Sequence, residues 1–129
     1  MEKIILTNMC MIYKENGEFL VQLRKKKDWP GINFPGGHIN KDESIEESVI
    51  REMKEETGLD VYNLEFVSYY EWNIIEEETR HLCLLFKTKD FKGELISSNE
   101  GEVFFINKED LDKYPLSVDF DKILEICLK

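Results

Sequence analysis

The 129-residue chain is 42% hydrophobic and carries 27 acidic against 17 basic side chains, for a formal net charge of −10. That content suits one domain with a buried core, while the acidity (pI ≈ 4.7) argues against a broad nucleic-acid footprint, which needs clustered Lys and Arg. No apolar run is long enough to span a membrane, and the opening MEKIILTN has no signal-peptide pattern. Cys10, Cys83 and Cys127 are odd in number, far apart and set among apolar neighbours. They read as buried thiols in a reducing, cytoplasmic compartment, not as a disulfide framework or a zinc site.

In chain order, residues 4–13 read as an apolar strand, 14–17 as a tight turn and 18–24 as a second strand. The basic run Arg24, Lys25, Lys26, Lys27 follows; the three lysines read as a solvated loop. Residues 28–37 hold two prolines and three glycines, which forbid regular structure over most of the segment. Residues 45–57 read as a helix. Residues 61–72 and 79–87 read as a long hairpin around the acidic bend 76–78, residues 102–106 as another strand, and 119–128 as a closing helix with a 3.6-residue apolar period. No internal repeat or linker interrupts this mixed α/β order.

Residues 37–59 (GHINKDESIEESVIREMKEETGL) concentrate the chemistry. Ser44 is an N-cap, Glu47 completes a capping box, and Gly58 is a left-handed C-cap. Ile45, Val49 and Met53 recur every fourth residue, the spacing of a buried stripe. At roughly 100° per residue, Glu52, Glu55 and Glu56 fall in one sector beside that stripe. Residues 42–56 hold seven acidic side chains against Arg51 and Lys54, and like charges at i,i+4 destabilise a helix that has no counter-ion. The residues alone leave two readings open. One is a solvated acidic face, to which Glu46 and Glu47 belong; the other is an oxygen-ligand site for a hard divalent cation.

The segment resembles the signature of the Nudix hydrolases. Gly37, Glu43, Arg51, Glu52, Glu55, Glu56 and Gly58 stand at its defined positions, with Met53 and Leu59 at the aliphatic ones. The resemblance covers nearly the whole chain and implies a single domain over residues 1–129, folded as an α/β/α sandwich with a mixed sheet. It implies Mg2+ or Mn2+ held by Glu52, Glu55, Glu56 and the backbone carbonyl of Gly37, with Glu43 in support. By its place in the motif Arg51 orients a catalytic Glu; pairing with Glu47 is the other reading. The general base implied is either Glu52 or an acidic residue of a later loop. Glu100 stands where relatives carry that loop Glu, Glu102 is a second candidate, and an ordinary polar turn is the bland reading of both. Arg24 stands at the strand end where related enzymes touch substrate phosphates.

For the substrate, WPGINFPGG (29–37) and ELISSNEGEVFFI (94–106) resemble the bacterial 8-oxo-dGTP diphosphatase branch, in which an Asn aligned with Asn33 meets the purine edge. Asp119 or Asp121 would meet the base from the far side, with helix capping the alternative for Asp119. Trp29, Phe34 and Trp72 are stacking candidates or plain core. Two departures from that branch are Phe104-Phe105 in place of a Trp and a shorter loop after Arg24. The expectation is a metal-dependent pyrophosphohydrolase, monomer or homodimer, that cleaves a small-molecule nucleoside triphosphate such as 8-oxo-dGTP to the monophosphate and pyrophosphate. The alternatives are hydrolysis of ADP-ribose or another diphosphate-linked nucleoside, and a non-catalytic nucleotide sensor.

Overall fold

The computed structural model describes residues 1–27 and 29–129; Asp28, the first residue of the Pro- and Gly-rich segment, lies outside the described residues. The chain runs β1 (Lys3–Ile12), β2 (Phe19–Arg24), β3 (Gly31–Asn33), β4 (Gly36–His38), α1 (Ile45–Thr57), β5 (Leu59–Tyr62), β6 (Glu65–Ile74), β7 (Thr79–Thr88), β8 (Asp90–Gly93), β9 (Gly101–Ile106) and α2 (Phe120–Leu128). Short 3-10 turns cover Ile75–Glu77 and Lys108–Lys113.

A four-stranded mixed sheet has the order β4-β1-β7-β6, with β1 parallel to β7 and its other pairs antiparallel. A three-stranded antiparallel sheet, β3-β2-β9, lies beside it, and β5 pairs with β8. The strands sort their side chains by the two-residue period of a pleat. Cys10, Ile12, Leu20, Phe86 and Val103 pack with Val49 and Met53 of α1. Their neighbours Met11, Phe19, Val21, Leu85 and Ile106 pack with Phe120, Ile123 and Leu124 of α2. One helix therefore covers each face, giving the α/β/α sandwich that the resemblance implied.

Helix α1 forms where its caps place it. Ser44 Oγ accepts from Glu47 N at 3.1 Å while Glu47 Oε1 accepts from Ser44 N at 2.8 Å. Gly58, at φ 80, closes the helix by donating to the Lys54 carbonyl. Val49 and Met53 are fully buried, each stabilising the fold by about 1.5–3 kcal/mol. Ile45, in the first turn, corrects the stripe: it is 41% exposed. One turn before Glu52 the buried position is taken by Ser48, whose Oγ accepts from Asn8 Nδ2 of β1 at 2.9 Å.

Three other expectations change in detail. The strand read over 61–72 is two strands, β5 and β6, broken at Asn63, which adopts φ 49. The Pro- and Gly-rich segment holds two three-residue strands, β3 and β4, each pinned to a longer neighbour. Asp119 stands at the N-cap position of α2 but makes no side-chain cap bond. Among the described residues no helix is long and apolar enough to cross a membrane, and the three cysteines are free and buried.

Candidate active site

A cleft of about 580 Å3 runs from the acidic edge of α1 to the end of the four-stranded sheet. Glu52, Glu55 and Glu56 line one end beside Gly37, with Arg24 and Glu100 near them. Trp29, Asn33, Phe34 and Trp72 line the other.

At the acidic end Arg51 is the hub. Its Nε and Nη2 grip both oxygens of Glu43, at 2.9 and 2.6 Å, and Nη2 also donates to the His38 carbonyl. Its Nη1 reaches Glu52 Oε1 at 2.6 Å and Glu55 Oε1 at 3.1 Å. A planar fork with five donors can serve this many acceptors in one geometry. Arg51 does not use Glu47, which is engaged in the cap. The Arg51 hydrogen bonds, aided by the Asn40 backbone, lower the Glu43 carboxyl to about 2. Glu43 thus anchors the arginine, and the arginine presents Glu52 and Glu55.

Glu56 is held differently. Gln22 Nε2 donates to its Oε2 at 2.6 Å, and Ser98 Oγ lies 3.2 Å from the same oxygen. Glu52 and Glu56 are both nearly buried, and desolvation raises both above the usual carboxylate range; the neighbouring hydrogen-bond donors pull the other way. Carboxylates kept in so dry a place call for a positive partner.

The donor set suits Mg2+ or Mn2+, being oxygen throughout. Gly37 supports the fit: a Cβ there would fall 2.1 Å from Glu52 Oε2, so only glycine lets backbone and carboxylate approach this closely. Among the described residues no three His, Cys, Asp or Glu side chains already converge on one point. Sharing a cation therefore requires the three carboxylates to draw closer, and Glu52 can do so through Oε2, which faces Gly37, while Oε1 stays on Arg51 and Gln22 and Ser98 hold Glu56.

Glu100 accepts from Lys26 Nζ at 2.7 Å, and Arg24 Nη1 lies 3.5 Å away. Lys26 is thus more than a solvated loop residue, since it also lines the cleft. Glu102 is exposed on β9 and is not among the cleft-lining residues. At the far end, Asn33 Oδ1 accepts from Phe34 N at 3.0 Å, so the amide's donor edge is its Nδ2. Phe34 is 3% exposed and packs on Phe19 and Phe120, as core. Trp29 and Trp72 meet edge-on at 5.0 Å. Asp119 is not a lining residue; its Oδ2 accepts from Tyr70 Oη at 3.0 Å and Trp72 Nε1 at 3.1 Å. Asp121 is exposed and borders a separate shallow groove beside α2.

A profile of the NUDIX domain matches residues 5–125. The chain belongs to the Nudix hydrolase family. It is 25% identical to the Nudix hydrolase YvcI of Bacillus subtilis over 124 residues, 93% of this chain and 77% of that one. It is 35% identical over 84 residues to the phosphatase NudJ of Escherichia coli, covering 63% of this chain and 52% of that relative's length. A MutT Nudix hydrolase from Burkholderia pseudomallei superposes with a TM-score of 0.85 over 96% of this chain and 98% of its own, at 20% identity, a likeness of fold.

Sequence reasoning missed Gln22, Ser98, Lys26 and Tyr70. Gln22 did leave a signal: it is a polar residue with apolar neighbours on both sides in the strand FLVQLR, and a buried amide demands a partner. Ser98 and Tyr70 left none, because their partners lie far away in sequence.

Proposed function

We propose that this Nudix hydrolase is a metal-dependent pyrophosphohydrolase that cleaves a nucleoside triphosphate, with 8-oxo-dGTP as the leading substrate, to the monophosphate and pyrophosphate in the cytoplasm. One observation carries the reading. A single cleft joins the carboxylates of α1 and two basic residues, at one end, to a tryptophan pair and a buried amide at the other. Its volume lies within the range of about 300–1,000 Å3 usual for small-ligand sites.

Mg2+ or Mn2+, held by Glu52, Glu55, Glu56 and the Gly37 carbonyl, would neutralise the phosphate oxygens and lower the pKa of a bound water. The protein's own residues do the remaining work. Arg51 aligns Glu52 and Glu55, and Gln22 with Ser98 fixes Glu56. Arg24 and Lys26 exchange Glu100 for substrate phosphate oxygens, as cations in a net-negative protein must if they are to meet a polyanion. Glu100, released, is the carboxylate assigned to take the proton from the attacking water. Trp29 and Trp72 give the base an aromatic wall, and Asn33 Nδ2 offers a donor to a purine acceptor.

The test is product analysis with Mg2+ or Mn2+ over canonical dNTPs, 8-oxo-dGTP, ADP-ribose and a dinucleoside polyphosphate, with Glu55→Gln, Glu56→Gln as control. Pyrophosphate released from 8-oxo-dGTP at far higher kcat/KM than from dGTP supports the reading. Preference for ADP-ribose removes the base-recognition argument and keeps the metal chemistry. Nucleotide binding without turnover makes the chain a sensor and the proposal wrong.

A further inference from the structure

Residues 115–119 contribute nothing to the acidic motif, yet they brace both tryptophans of the chain. Ile32 N donates to the Pro115 carbonyl, and Ser117 N to the Ile32 carbonyl. Ser117 Oγ lies 2.9 Å from the carbonyls of both Trp29 and Pro30. Gly31, at φ 101, permits this contact; a Cβ there would come within 2.9 Å of the backbone of Pro115, Leu116 and Ser117. Two residues after Ser117, the Asp119 carboxylate collects the Trp72 indole N–H and the Tyr70 hydroxyl on one oxygen. The Tyr70 ring in turn packs edge-on against Trp72 at 4.9 Å.

One backbone feature marks this as a built arrangement. Trp29 adopts φ 56, a left-handed conformation that is rare for so bulky a residue and persists only where surrounding contacts over-determine it; Asp119, at φ 63, is of a type that adopts it readily. Asp119 also stands where a carboxylate would ordinarily cap α2, yet it makes no cap bond: Oδ2 serves Tyr70 and Trp72, and Oδ1 lies 3.7 Å from Lys122 Nζ. The indole N–H is a donor only, so an acceptor at this place selects one orientation of the ring.

We propose that Asp119 is a positioning residue for substrate selection: it sets the Trp72 indole, and through it the Trp29–Trp72 wall of the cleft, without itself touching the substrate. The inference rests on the nucleoside end of the cleft described under the proposed function.

Two variants separate the carboxylate from the backbone. Asp119→Gly removes the acceptors and keeps the left-handed conformation free of strain; Asp119→Asn keeps one oxygen and tolerates that conformation. Because Trp29 and Trp72 are the chain's two tryptophans, intrinsic fluorescence reads the wall directly, with no turnover required. Asp119→Gly is expected to red-shift the emission, increase acrylamide quenching and raise KM for the nucleoside triphosphate about tenfold with kcat within about threefold. Asp119→Asn should stay near the parent in both readouts. On a Trp72→Phe background, Asp119→Gly should add nothing to KM.

A raised KM with unchanged emission, or a raised KM that persists on the Trp72→Phe background, overturns the proposal in favour of direct contact. Changed emission with unchanged KM overturns it by removing the wall from selection. An indole 15N–1H spectrum of the unmodified protein is independent of how any variant folds. The Trp72 resonance should remain hydrogen-bonded and slow to exchange when nucleotide saturates the cleft, and loss of that protection on binding also overturns the proposal. Should the chain turn over no nucleoside triphosphate, the proposed function fails by itself, while the emission and the indole spectrum still report whether Asp119 holds the wall.

Discussion

Gln22 Nε2 donates to Glu56 Oε2 across 2.6 Å, joining the central strand of the three-stranded sheet to the last carboxylate of the acidic helix. A residue in the middle of an apolar strand thereby fixes one of the carboxylates proposed to hold the metal. Replacing it by Leu leaves Ser98 as the remaining side-chain donor to Glu56 among the described residues. Gln22→Leu is expected to cost about 1–3 kcal/mol of stability in metal-free buffer, because a nearly buried carboxylate loses its main partner. Urea unfolding measures this, and Mg2+ should restore part of the loss. An unchanged midpoint would mean that Glu56 is solvated.

The dryness of Glu52 and Glu56 gives a pH dependence whose sign is fixed. Burial raises both carboxyls, so ionising them costs the folded state more than the unfolded one. The penalty is complete above their raised folded values and disappears as pH falls through those values to the unfolded one. Without divalent cation, the thermal midpoint relative to a Glu52→Gln, Glu56→Gln variant should therefore increase as pH is lowered from neutrality through the raised folded values. With Mg2+ the trend should reverse, because the cation binds the ionised form. Parallel midpoints across that range would refute the assignment.

Gly36 and Gly37 are adjacent and should fail differently. A Cβ on Gly36 meets the Asn8 backbone oxygen at 2.0 Å, and backbone cannot step aside. Gly36→Ala should destabilise the fold by about 1–3 kcal/mol, as overpacking does. A Cβ on Gly37 meets the end of the Glu52 side chain, which can swing away. Gly37→Ala should fold with a nearly unchanged midpoint and lose about 10²-fold in kcat, the scale of a 1 Å misplacement. Calorimetry and a phosphate-release assay on the pair decide the matter; equal loss of stability in both would contradict it.

Arg51→Lys keeps the charge and loses the fork. A lysine cannot hold both oxygens of Glu43 and also reach Glu52, Glu55 and the His38 carbonyl. The expected result is a fall in kcat of about 10²-fold with a higher metal requirement, read by activity against Mg2+ concentration. Near-normal kcat would reduce Arg51 to a source of charge.

Lys26 and Glu100 should separate in kinetics. If Glu100 takes the proton from water, Glu100→Gln lowers kcat by about 10²–10⁴-fold and leaves KM close to the parent value. Lys26→Ala, which removes a phosphate partner and also the ion pair holding Glu100, should raise KM while kcat changes little. A Glu100→Gln variant with full kcat would return the base to Glu52.

Much of α1 was legible because its determinants are local. The capping box, the glycine stop and the carboxylate spacing all lie within one short segment, and the helix forms over the predicted residues. The exposure of Ile45 was not legible, since periodicity gives a direction on the helix and not what packs against each of its turns. The pairing of Asp90–Gly93 with β5 escaped notice because four residues of mixed polarity carry no alternation signal. The three-residue strands β3 and β4 arise from tertiary pairing that overrides proline and glycine preferences. Asp119 looked like a cap because the sequence cannot show that Tyr70 and Trp72 arrive beside it.

The parallel register between β1 and β7 places Lys3 opposite Thr79 and Ile12 opposite Thr88. On a ribosome, the first strand must wait without this partner until most of the polypeptide has been made. The acidic helix can wind on its own local signals in the meantime, but the surface against which Val49 and Met53 bury includes Phe86 of that late strand. Non-local pairing of this kind slows folding and leaves apolar strand exposed to wrong partners. A nascent chain stalled short of Thr88 would thus carry a complete acidic motif on an unfinished platform, inactive and prone to aggregate.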